Sequence, residues 1–63
     1  MALKVKQAIK RLEKDGWTLA RIRGDHRTFK KDGVAHLITI AGNLNDDLPI
    51  GQELDIRRKA GWR

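Results

Sequence analysis

The run Arg21-Ile22-Arg23-Gly24-Asp25-His26-Arg27-Thr28-Phe29-Lys30-Lys31 holds five basic residues, one acidic residue and one of the chain's two histidines. Across a tight hairpin such cations converge, so the turn offers phosphate-binding side chains around His26. Histidine acts as base or acid near neutrality because its unperturbed pKa is about 6.5. RNA carries its own nucleophile, the ribose 2′-hydroxyl. A base within hydrogen-bond reach, with cations on the phosphate, therefore suffices for strand cleavage without a metal. Gly24 and Asp25 precede His26 at the point where glycine frees the backbone for close approach. Neighbours on an extended strand point to opposite faces, so a lone His26 is expected to serve, without an Asp25 partner. The plain alternative is a solvated hairpin in a basic protein.

Other chemistries find little support. His36 shares the parity of Ile38 and Ile40 and reads as a partly buried structural residue. The two histidines are ten positions apart, with no cysteine and no carboxylate at ligand spacing, so no metal site is expected. Serine is absent, and Thr18, Thr28 and Thr39 lack a base at a recognisable spacing, which argues against nucleophilic catalysis. Trp17, Phe29 and Trp62 read as packing residues. Each tryptophan follows a glycine at a helix end, where an apolar residue folds back onto the last turn.

The elements that must position these residues follow from periodicity. Val5, Ala8, Ile9 and Leu12 fall at i, i+3, i+4 and i+7 among lysines and arginines, which predicts an amphipathic helix over residues 3–15, stopped by Gly16. Strands are expected over 17–23, 26–30 and 34–40, joined by two glycine-containing turns into an antiparallel meander. The adjacent apolar pair Leu19-Ala20 breaks the alternation and predicts either a bulge or a late start to pairing. Residues 41–47 read as a loop. A last helix begins at Pro49 or nearer Gly51, with Asp46 and Asp47 as N-terminal caps, Arg57, Arg58 and Lys59 near its end, and Gly61 beyond. Both helices are expected on one face of the sheet, a small α+β domain around one core.

Sixty-three residues allow one domain, taken as 1–63. A domain of this size buries only about 60% of the surface its unfolded chain exposes, which favours a protein partner that covers part of it. Fourteen lysines and arginines against eight acidic residues give a formal charge of +6, a field that attracts polyanions. Without cysteine there is no disulfide framework. No run of about 18 apolar residues and no signal-peptide core occurs, so a soluble cytoplasmic protein is expected.

Four segments resemble the HicA toxins of bacterial and archaeal toxin–antitoxin modules. They are Leu12-Glu13-Lys14-Asp15-Gly16-Trp17, Arg23-Gly24-Asp25-His26-Arg27, the connection from Thr39-Ile40-Ala41-Gly42 to Asp46-Asp47-Leu48-Pro49, and Lys59-Ala60-Gly61-Trp62. Together, in order, they span nearly the whole chain. The resemblance implies a fold like a double-stranded-RNA-binding domain and a small ribonuclease that cleaves mRNA. The histidine of the family's Gly-Ser-His motif falls on His26 and its glycine on Gly24. A HicB antitoxin that masks the site is implied as partner. Two positions depart from the pattern. Asp25 replaces the motif serine and brings a negative charge beside the phosphate site. Glu53 stands where the family commonly has leucine, and Leu54 follows, which moves the apolar stripe about 100° around the helix, so its packing or start is expected to differ.

The expected function is thus a metal-independent mRNA endonuclease toxin with no cofactor. His26 is its base, and Arg23, Gly24, Arg27 and Lys30 bind RNA. The expected alternatives are a non-catalytic RNA-binding module of the same shape and charge and an interaction domain whose basic face docks an acidic antitoxin.

Overall fold

In the computed structural model, which describes residues 3–62, the chain runs α1 (Val5–Lys14), β1 (Thr18–Arg23), β2 (His26–Lys30), β3 (Ile38–Ala41) and α2 (Ile50–Ala60). This is the expected α+β order, a helix, a three-stranded antiparallel sheet and a helix. Met1, Ala2 and Arg63, which the single-domain expectation also covers, lie outside the described residues. Among the described residues no helix is long and apolar enough to cross a membrane.

The apolar stripe of α1 buries Val5, Ala8 and Leu12 against Phe29, Ile38 and Ile40 of the sheet and Ile56 of α2, with Trp17 and Leu48 closing the ends. Both helices therefore share one face of the sheet. Each ends in the same Gly-Trp device. The Trp17 N–H donates to Leu12 O at 2.9 Å and the Trp62 N–H to Arg57 O at 2.8 Å, across the left-handed Gly16 and Gly61. Trp17 goes into the core. Trp62 instead bridges the helix ends, with its indole N–H donating to Asp15 Oδ2 at 2.6 Å and the Arg11 guanidinium 4.3 Å from its ring centroid.

Three expectations on the elements need correction. The third strand begins at Ile38, not Val34, because His36 leaves the sheet: its Nε2 lies 2.8 Å from Lys59 O, and its ring stacks on Trp17 at 6.3 Å. His36 is structural as expected but exposed. Asp46 and Asp47 do not cap α2, whose N-cap is Pro49. The Asp46 carbonyl accepts the Val5 N–H at 2.9 Å and the Asp47 carboxylate pairs with Lys4 Nζ at 3.2 Å, so this loop serves the start of α1.

The stripe of α2 does not follow Leu54. Leu54 is exposed, while Glu53 faces inward with Ile56. Its carboxylate accepts from Arg57 Nε at 3.0 Å and from the Leu3 N–H at 3.4 Å, which makes its burial tolerable. The Arg57 hydrogen bond, foremost, holds the Glu53 carboxyl below the ordinary glutamate value.

Candidate nucleic-acid interface

The two central residues of the β1–β2 turn are Gly24 and Asp25. Gly24 takes φ 61°, the left-handed first position of a type II′ hairpin turn, which glycine alone adopts at no steric cost. The turn sets the register: Arg23 lies opposite His26, Ile22 opposite Arg27, Arg21 opposite Thr28 and Leu19 opposite Phe29. Of the two expectations for Leu19-Ala20, the bulge is the one present: it lies between Leu19 and Arg21, with Ala20 as the extra residue, and pairing already begins at Thr18. It puts two large apolar residues, Leu19 and Ile22, on the helix side of the sheet and both arginines, Arg21 and Arg23, on the other.

Residues opposite each other in an antiparallel pair share a face. The open face therefore carries Arg21, Arg23, His26 and Lys30, with Thr28 and Thr39 between them at 3.2 Å between hydroxyl oxygens. The charged side chains of this set are exposed. Of the residues singled out in sequence, Arg23 is brought directly beside His26, and Gly24 forms the turn. Lys30 shares the face but stands four residues along β2, about 13 Å away at strand rise. Arg27 points to the helix side, half-buried, and its Nη1 donates to Gly42 O at 3.3 Å.

Arg21 was not among the expected site residues. The signal for it is plain alternation: Arg21 and Arg23 are two residues apart in the continuous part of β1, so they share a face.

The turn also makes the contact that an extended strand would forbid. Asp25 Oδ1 lies 3.4 Å from His26 Nε2, with both side chains more than half exposed. The Asp25 carbonyl accepts the Gly42 N–H at 3.1 Å, and Gln52 Oε1 accepts the Ala41 N–H at 3.0 Å, opposite His26. The β1–β2 turn, the loop after β3 and the first turn of α2 thus meet at one end of the molecule. The start of α1 joins them through the Val5 and Lys6 N–H groups, which donate to Asp46 O and Leu44 O.

This arrangement can bind a phosphate at Arg23 and place an imidazole next to it. No curated protein matches the chain at a significant level. The family description that does match is the HicA toxin of bacterial toxin–antitoxin, over residues 5–62. Because that match covers all five elements and both Gly-Trp helix ends, the chain belongs to the HicA toxin family.

Proposed function

We propose that the protein is a cytoplasmic, metal-independent endoribonuclease that acts on mRNA as the toxin of its module and is held in check by a HicB-like antitoxin. The observation that carries the reading is the pairing of an exposed His26 with Arg23 across the open sheet face, Asp25 being 3.4 Å from the imidazole. Asp25 beside Nε2 favours the tautomer with its proton there, which leaves Nδ1 as the base. The base takes the proton of a ribose 2′-hydroxyl as that oxygen attacks the adjacent phosphorus. Arg23 supports the charge that develops on the phosphate. The bond to the 5′ oxygen breaks, and water protonates the leaving oxygen, because Lys30 lies too far along the strand to serve both His26 and the same phosphate. The products are a 2′,3′-cyclic phosphate and a 5′-hydroxyl. Lys30 and Arg21 hold neighbouring phosphates.

The test is incubation of wild type and His26→Ala with a defined mRNA in excess EDTA. Cleavage by wild type is expected to persist in EDTA. His26→Ala should fold as wild type by circular dichroism and cleave about 10²- to 10⁴-fold more slowly. Equal cleavage by both proteins removes His26 from the mechanism. RNA binding by wild type without product favours the binding-module alternative.

A further inference from the structure

β1 is an outer strand of the sheet, and every one of its six residues is exposed. Its length is about 20 Å at strand rise. The opposite edge is different: β3 has four residues, and the Ala41 amide there is taken by the Gln52 side chain. On β1 the pair that closes the two-residue turn, Arg23 and His26, exchanges its bonds inward, so alternation turns the N–H and C=O of Ile22 outward. Proline and lysine are absent from the edge, the Ala20 bulge interrupts it only ahead of Arg21, and Leu19 and Ile22 stand 44% and 57% exposed on its helix side.

Charge decides what fits. A second copy paired through β1 would bring Arg21 and Arg23 against the same arginines, and like charges facing across strands destabilise the pairing. A strand with carboxylates on the open face and apolar side chains on the helix side answers both rows at once. We infer that β1 is the docking edge for an extended acidic segment of the partner protein, which adds a fourth strand to the sheet and neutralises Arg21 and Arg23. This rests on the partner half of the proposed function and does not require that the protein cleave RNA. Since Arg23 faces His26, such a strand would occupy the phosphate-binding arginines, so bound partner and bound RNA exclude each other.

The probe is an eight-residue peptide that alternates valine and glutamate, compared with one that alternates valine and lysine, each titrated into the ¹⁵N-labelled full chain. The glutamate peptide is expected to shift and protect the amides of residues 19–23 and to bind at least about tenfold more tightly than the lysine peptide. Ile22→Glu, which puts a carboxylate in the apolar row and leaves both arginines in place, should abolish that binding while its spectrum stays folded. Three results would overturn the proposal: shifts that map to α1 or α2, equal binding of the two peptides, or a β1-paired homodimer in sedimentation. Failure to bind the glutamate peptide at millimolar concentration would overturn it too. None of these readouts uses RNA, so a protein that fails to cleave mRNA could still pass, and an active ribonuclease could still fail.

Discussion

Along β2, alternate residues belong to two different worlds. Arg27 and Phe29 face the helices, where Phe29 is 1% exposed and Arg27 is tied to the loop after β3. His26 and Lys30 face solvent on the side that no helix covers. The covered face beneath β2 and β3 is filled by Leu12, Ile38, Ile40 and Ile56, and its β1 margin, with Leu19 and Ile22, stays exposed. The open face carries the cations and the imidazole and contributes little to stability. One five-residue strand thus divides the core from the candidate site by parity alone, and each substitution along it should report on one side only.

The largest effect should come from Phe29→Ala. Loss of the largest fully buried side chain costs about 3–5 kcal/mol. Domains of ordinary stability hold about 5–15 kcal/mol in all, and one of 63 residues belongs at the low end, so a measurable unfolded fraction should appear at 25 °C by circular dichroism and urea unfolding. Lys30→Ala, one residue away on the open face, should stay within about 0.5 kcal/mol of wild type. Comparable losses in the two variants would mean that the open face is not free.

Next in size is the contrast between Arg23 and Arg27. Arg23→Ala should reduce the slope of log K against log salt for RNA binding by somewhat under one unit and leave unfolding unchanged. Arg27→Ala removes a half-buried donor to Gly42 O and should lower stability by about 1–2 kcal/mol with the salt slope retained. A reduced slope in Arg27→Ala would show that its guanidinium leaves Gly42 and reaches the RNA.

Glu53 is the charged residue most deeply placed on the covered side, and its carboxyl titrates below the ordinary value of 4.5 because Arg57 donates to it. A folded value below the unfolded one means that the unfolded chain binds more protons in this window. The stabilisation is complete above about 4.5 and is lost as pH falls through the folded value. Asp55, paired with Lys59 and Arg58, contributes in the same direction. Melting temperature followed from neutrality into acid should fall below that point. Glu53→Gln should start lower at neutrality and fall less steeply, and an unchanged acid slope would shift the origin of the loss to Asp55.

Local patterns made much of this division legible. The stripe of α1, its Gly-Trp end and the break at Leu19-Ala20 are all short-range signals, and each corresponds to what the chain does. What sequence could not supply was register and distant partners. Which of Arg23 and Arg27 stands beside His26 depends on the turn that pairs β1 with β2. The late start of β3 depends on His36 meeting Lys59 and Trp17, far away in the chain. The inward turn of Glu53 depends on where α2 begins. Pro49 fixes that start once Leu48 is buried and its N–H is bonded to Leu3 O at 2.8 Å, and Glu53 then falls on the face of Ile56 whatever Leu54 prefers.

The smallest effect lies at the turn, where the open face meets the position at which the family usually has serine. In the proposed reaction Asp25 acts on two partners with opposite sign. Its carboxylate repels a phosphate held by Arg23, and it orients the His26 imidazole across 3.4 Å. Both side chains are more than half exposed, so solvent screening limits either effect to about 1 kcal/mol. The repulsion acts on a full charge in the substrate, whereas the orienting contact is longer than a good hydrogen bond, so repulsion should prevail. Asp25→Ser is therefore expected to raise kcat/KM by roughly fivefold or less, and the gain should appear in KM. If kcat falls instead while RNA binds as in wild type, the carboxylate is a working partner of His26, and the base becomes an Asp25–His26 pair made possible by the turn.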